Sequence, residues 1–311
     1  MSFSLDNRQI IISYHYVCAP TTGIYPCPPA EFERQVKFLT TNYRSTSLEE
    51  VWAAARAGSG ERLCAITFDD GTKDHFTNAA PILRQHHASA TFFPIAGVFD
   101  GLLPFVHRVH ILLAHFDIVD LIDRFNTLLT EAVIQPTTLF IPKDRRRSET
   151  TRNDYGGDFR VDNFKETMAL APVAIRERFM AERLAQLDLS LEDLRTRLFM
   201  TEDELDALDQ QGFSIGNHTY NHVALDQLDE PAMAQELHLA TERLLKILRK
   251  TPVCFSYPWG RSGRLAPVVL NRLGFKAAVT IERRGVASSD SQFLLPRYDA
   301  NDLRNFLNER P

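Results

Sequence analysis

The sequence predicts an α/β fold built on parallel strands, either a barrel or a doubly wound sheet. Three observations predict it. Short runs rich in β-branched and aromatic residues alternate with amphipathic helical patterns, seven strands in all. About a hundred residues in the middle of the chain, 100–199, break that rhythm and read as helix and loop. The residues with the most chemistry fall at the ends of predicted strands, where both architectures gather their sites.

Taken in order, residues 9–17 (QIIISYHYV) form the first strand. Residues 29–41 follow as a helix, with Phe32, Val36 and Leu39 on one face. Ser47 opens another helix, with Glu50 three residues on in the pattern of a capping box. Residues 63–70 (LCAITFDD) are the second strand, 78–87 a helix and 89–97 (SATFFPIAG) the third strand. In the interruption, Leu112, Phe116, Val119 and Ile122 recur at helical spacing, so it is expected to pack as a helical subdomain. Its polar segment 143–152, with Arg145, Arg146 and Arg147, reads as a solvated loop; a phosphate contact is the sharper alternative. A helix restarts at Thr201, with acids in its first turn, and stops at Gly212. Residues 213–218 are the fourth strand, and 231–250 a long helix with Met233, Leu237, Leu244 and Leu248 inward. Strands at 253–257, 277–281 and 293–297 and helices at 265–273 and 302–308 complete the pattern. The division expected is a barrel from 1–99 and 200–311, with 100–199 as a lid or rim.

Composition narrows the function. Of 311 residues, 44% are hydrophobic and 24% charged, an ordinary globular balance that excludes a disordered or coiled-coil chain. The net charge of −5 argues against a nucleic-acid partner, which calls for a basic field. The longest apolar stretch, 102–119, carries His107, Arg108, His110, His115 and Asp117, so no transmembrane segment is expected. Four cysteines stand outside any C-x-x-C pair, and no signal-peptide core is legible; both point to a reducing, cytoplasmic setting.

Two motifs carry chemistry. Asp69 and Asp70 close the second strand before Gly71. Neighbouring side chains on a strand diverge, so two adjacent acids do separate jobs at one site only where the strand ends and turns. Alone, the pair reads equally well as a helix cap. The second motif is His218-Thr219-Tyr220-Asn221-His222, just past the fourth strand. Two histidines four apart converge on one helical face or tight turn, a common geometry for two imidazole ligands on zinc. An Asp-His-His set leaves coordination open for water.

TFDDG followed by H-T-x-x-H resembles the polysaccharide deacetylase family, the NodB-homology carbohydrate esterases. The spacing is longer than usual because of the 100–199 insertion, and the flanking strands match over most of the remaining chain. The resemblance implies a distorted (β/α)7 barrel and metal-dependent removal of N-acetyl groups from amino sugars. It implies Asp69 as general base, with Asp70, His218 and His222 holding a divalent metal, usually Zn2+, or Co2+ or Ni2+.

Two family motifs are altered. Where the family carries Arg-Pro-Pro-Tyr-Gly, this chain reads Ser256-Tyr257-Pro258-Trp259-Gly260. That form is similar to the branch acting on poly-N-acetylglucosamine, and it implies Tyr257 and Trp259 at the acetyl pocket, with a backbone N–H toward the oxyanion. The closing Leu-x-His is replaced by Leu294-Leu295-Pro296-Arg297-Tyr298. His15, in Tyr14-His15-Tyr16 at the first strand end, is the candidate acid in place of the missing histidine, and Arg297 the candidate replacement for the missing arginine. His75 is a weaker candidate for the site. The expected substrate is an acetamido sugar that is nucleotide-linked, lipid-linked or a small glycoside. A metal amidohydrolase acting on another C–N bond, such as an N-formyl group or cyclic amide, and a glycan-binding pseudoenzyme are the alternatives.

Overall fold

The first apolar run forms β1 (Gln9–Tyr14), and all six residues are buried. A strand apolar on both faces belongs inside a parallel sheet covered on both sides. β1 pairs in parallel with β3 (Leu63–Asp70), in register from Gln9 opposite Leu63 to Tyr14 opposite Phe68. β3 pairs in turn with β4 (Ala90–Pro94), and β4 with the short β5 (Ser214–Ile215). On the other edge, β8 (Tyr298–Asp299) lies along β1. A two-residue strand that the sequence pattern missed, β2 (Arg44–Ser45), adds to the start of β3. A second parallel pair comprises β6 (Cys254–Ser256) and β7 (Ala277–Val279). Single parallel bridges, Asn217 to Phe255 and Val279 to Leu295, link this pair to the larger sheet at both seams. The computed structural model describes residues 3–20, 24–131, 139–147 and 158–309. The result is the expected α/β fold with parallel strands.

Several strands are shorter than the pattern predicts. The run 293–297 is not a ladder strand: Leu295 bridges Val279, then pairing resumes at Tyr298. Pro296 lies between them, and its missing N–H interrupts a ladder. The helices follow their signals more closely. α1 (Pro29–Asn42) buries Phe32, Val36 and Leu39 completely. Ser47 caps α2 (Leu48–Arg56) by accepting the Glu50 N–H. The Glu50 carboxylate instead meets Arg44 and Thr46, so only half of the predicted capping box forms. After the Asp-Asp-Gly turn comes a π-helical turn (His75–Ala79) that runs into α3 (Ala80–Gln85).

The chain divides into two compact units: 1–20, 26–102 and 194–311, and 21–25 with 103–193. The second contains α4 (Phe105–His115), α5 (Ile118–Glu131), α6 (Phe159–Leu170) and α7 (Val173–Leu184). Leu112, Ile122, Phe125, Phe164 and Phe179 form its interior. Phe116 and Val119 are only half-buried, because α4 ends at His115 and the predicted single face is split between two helices. Arg146 pairs with Asp162 at 3.0 Å and the Arg147 N–H donates to Asn163, tying this segment to α6. The rest of the polar segment, 148–152, lies outside the described residues.

α8 (Leu191–Leu198) spans the boundary at 193/194, and in the first unit α9 (Glu202–Gln210) starts on a full Thr201–Glu204 capping box and is closed by Gly212 at φ +89°. α10 (Glu230–Leu248) buries Met233, Leu237, Leu244 and Leu248 as the spacing predicts. α11 (Ala266–Arg272) and α12 (Ala300–Asn308) complete the element order. Phe68 and Phe92 stack at 4.7 Å beneath the strand ends, with Tyr14 against Phe68 at 5.3 Å. These fully buried rings contribute roughly 1.5–3 kcal/mol each, and they fix the strand ends on which the reactive side chains sit. Among the described residues no helix is long and apolar enough to cross a membrane.

Candidate active site

The Asp-Asp pair sits at the last two positions of β3, opposite Phe93 and Pro94 of β4. The strand ends there because Asp70 and Gly71 are both left-handed, at φ +76° and +79°. That break in the pleat lets two consecutive carboxylates serve one site, as Asp is among the few residues that enter this region at modest cost. A Cβ on Gly71 would lie 2.7 Å from Pro94 Cβ, so only glycine fits the turn.

Asp70, His218 and His222 converge. Asp70 Oδ1 lies 3.4 Å from His218 Nε2 and 3.5 Å from His222 Nε2, and one donor atom from each of the three lies within 4.8 Å of the others. The donor chemistry fits a divalent metal of the zinc type, two imidazoles and a carboxylate. A test of that fit lies in the tautomer. His218 Nδ1–H donates to the Ser256 carbonyl at 2.7 Å, which leaves the Nε2 lone pair facing Asp70 and His222. An imidazole anchored by its far nitrogen is the arrangement a metal ligand needs.

Asp69 is held differently. Arg297, 1% exposed, grips it through two parallel bonds: Nη1 to Oδ1 at 3.0 Å and Nη2 to Oδ2 at 2.8 Å. The remaining guanidinium donors meet Thr67 Oγ1, Ser256 Oγ and the Thr280 carbonyl. Burial alone would raise the Asp69 pKa, but Arg297, with His218 and His15 nearby, outweighs it and holds the carboxyl well below the usual range. Asp69 is therefore an ionised carboxylate in fixed orientation.

His15 is the exposed member. Its Nε2 lies 3.9 Å from Asp69 Oδ2, with 45% of the side chain open to solvent. His75 is completely buried; its Nε2–H donates to the His15 backbone carbonyl at 2.5 Å, and burial pushes its pKa down. The Trp259 ring lies 5.4 Å from that of His222 and the residue is 43% exposed, with a left-handed backbone at φ +61°. Tyr257 is not brought to the site. Its hydroxyl donates to the Phe293 carbonyl, its N–H to Val279, and its ring packs on Phe255. The alternation of side chains along the 255–257 segment sends Tyr257 into the core and leaves Ser256 beside the histidine. Ser256, read from sequence only as a lost arginine, thus touches both halves of the site: its carbonyl orients His218 and its hydroxyl meets Arg297. No sequence signal marks that role.

A family model described as polysaccharide deacetylase matches residues 56–102 and 165–278, more than half of the chain. No curated protein matches. Among solved structures, the chain resembles the Streptococcus pyogenes deacetylase PplD in complex with acetate, at 18% identity, 96% of each chain covered and a TM-score of 0.59. It also resembles IcaB from Ammonifex degensii, at 16% identity, covering 94% of this chain and 91% of that one, TM-score 0.57. The BpsB deacetylase domain from Bordetella bronchiseptica aligns at 13% identity over 93% and 94%, TM-score 0.53. Identities this low speak for the fold.

Proposed function

The chain belongs to the polysaccharide deacetylase family, and from that premise we propose that it is a metal-dependent hydrolase that removes an N-acetyl group from an amino sugar. The observation that carries the reading is the convergence of an Asp70-His218-His222 donor set with a separately held Asp69 carboxylate. Asp70, His218 and His222 hold the metal, with Zn2+ the first candidate. A divalent metal there supplies Lewis-acid activation of water and of the amide carbonyl.

The chain's own residues do the rest. Asp69 accepts a proton from the attacking water as the oxygen bonds to the acetamido carbon. Arg297 keeps that carboxylate ionised and aimed. The Trp259 indole walls the acetyl pocket and its backbone N–H faces the developing oxyanion. His15, facing Asp69 from the solvent side, gives its proton to the sugar nitrogen as the C–N bond breaks. Acetate and a free amine leave. Each proton transfer of this kind contributes on the order of 10²–10⁴-fold. All four cysteines are free thiols, which supports a reducing compartment and a substrate made there, such as a nucleotide- or lipid-linked acetamido sugar.

The test is incubation of the metal-loaded protein with a panel of free, nucleotide-linked and lipid-linked acetamido sugars, plus N-formyl and cyclic-amide analogues. Acetate release with loss of one acetyl from the sugar is the expected result. Turnover of only the formyl or cyclic compounds would move the protein to another C–N bond. Metal uptake with no turnover at all would leave a binding protein.

A further inference from the structure

The segment joining the two histidines is held in an unusual shape. Thr219 and His222 both have left-handed backbones, at φ +64° and +57°. A β-branched residue in that region is a rare outlier, and such conformations persist only where the surroundings over-determine them. Here the surroundings do so peptide by peptide. Asn217 Oδ1 accepts the Thr219 N–H at 2.8 Å. The Thr219 and Tyr220 carbonyls accept from Ala96 and Gly97, each at 3.0 Å. Gly97 has no alternative residue, since a Cβ there would lie 2.5 Å from the Tyr220 oxygen.

The other side is held by one residue of α10. Glu236 Oε1 accepts the N–H groups of both Tyr220, at 2.9 Å, and Asn221, at 2.5 Å, while Oε2 accepts the Asn221 side-chain amide at 2.8 Å. Glu236 is 7% exposed and sits among the inward-facing positions of its helix, next to Leu237 and one turn from Met233 and Ala240. A carboxylate at a core position is costly unless hydrogen bonds answer it. Both of its oxygens are taken up by two of the three residues between the histidines, Tyr220 and Asn221, and the catalytic scheme makes no use of it.

We infer that Glu236 is a positioning residue of the metal centre. It presets the spacing and facing of the His218 and His222 imidazoles, so that ordering the strained loop is not charged against metal binding. The inference rests on the reading of Asp70, His218 and His222 as the ligands. Outer partners of this kind typically govern metal affinity by 10–100-fold.

The experiment titrates metal-free protein with Co2+, followed by visible d–d absorption, and with Zn2+ against a competing chelator. Glu236→Ala should weaken Zn2+ binding about 10–100-fold and alter the Co2+ spectrum. Glu236→Gln keeps an oxygen for both backbone N–H groups and should restore affinity to within about fivefold of wild type. Asn221→Ala removes only the side-chain arm and should bind nearly as wild type. If Glu236→Ala does not fold, Glu236→Asp, with the carboxylate withdrawn by one methylene, should show weakened binding and a changed spectrum in a folded protein. Wild-type affinity and spectrum in Glu236→Ala, or in Glu236→Asp if that variant stands in for it, overturn the role of Glu236. A wild-type chain that takes up neither metal overturns the ligand assignment itself, and this inference with it.

Discussion

Replacing Arg297 with Met tests the most heavily braced contact in the site. The guanidinium is 1% exposed, and five hydrogen bonds fix it: two to Asp69 and one each to Thr67, Ser256 and Thr280. Asp69 itself is 2% exposed. Removing one partner of a buried pair strands the other charge without water, at about 3–5 kcal/mol. Against a total stability of roughly 5–15 kcal/mol, the variant should fold but unfold at markedly lower urea. Arg297→Lys restores a charge but not the planar fork, and one ammonium cannot reach all five acceptors, so it should recover only part of the loss. The double variant Arg297→Met/Asp69→Leu buries no charge and should regain much of the stability while remaining inactive. Urea unfolding of metal-free protein, metal content and acetate release together form the assay. In Arg297→Met, metal should stay bound while kcat falls about 10²-fold or more, the share of a base no longer held in line. A loss below about 1 kcal/mol, the level of an exposed pair, with kcat unchanged would refute the argument that Arg297 orients the base.

Much of this site was legible because its residue types are distinctive and cluster in sequence. Asp69-Asp70-Gly71 and the two histidines flanking Thr219-Tyr220-Asn221 predicted a donor set, and the structure brings Asp70, His218 and His222 together. Arg297 was the candidate replacement for an arginine that the resemblance implies and position 256 lacks, and its guanidinium does bond Asp69. Tyr257 was misplaced because the motif gives no phase. Whether an aromatic faces the site or the core depends on the pairing of β6 with β7, in which Cys254 and Ser256 lie opposite Ala277 and Val279, far away in sequence. Ser256, Asn217 and Glu236 were illegible for a related reason. Ser256 orients His218 through a backbone carbonyl, which nearly every residue type carries, while Asn217 and Glu236 use their side chains on backbone N–H groups of a loop whose shape no motif gives. The strand lengths failed where backbone geometry decides: Pro296 interrupts the final ladder, and the second sheet meets the first through single bridges at Asn217 and Leu295. The β1, β3 and β4 runs, apolar on both faces, were legible because burial alone dictates them.

Three further outcomes follow from the same geometry. His218→Ala and His222→Ala should each lose metal and activity together, measured by metal analysis and acetate release; full occupancy in both would sink the ligand assignment. Asp69→Asn should keep its metal while turnover falls about 10²–10⁴-fold, and a folded variant that lost its metal instead would exchange the roles of Asp69 and Asp70. The last concerns alkaline stability. Burial pushes the Cys27 and Cys64 thiols up to about 12 from an ordinary 9.0. A folded pKa above the unfolded one stabilises the native state fully below pH 9.0, and that contribution drains away as pH climbs toward about 12. Each thiol should therefore remove up to about 1.4 kcal/mol per pH unit in that window. Urea unfolding of wild type and Cys64→Ala at neutral pH and in steps above pH 9.0 checks it. The variant's stability should fall less steeply with pH, and parallel slopes would mean that the buried thiol ionises as readily folded as unfolded.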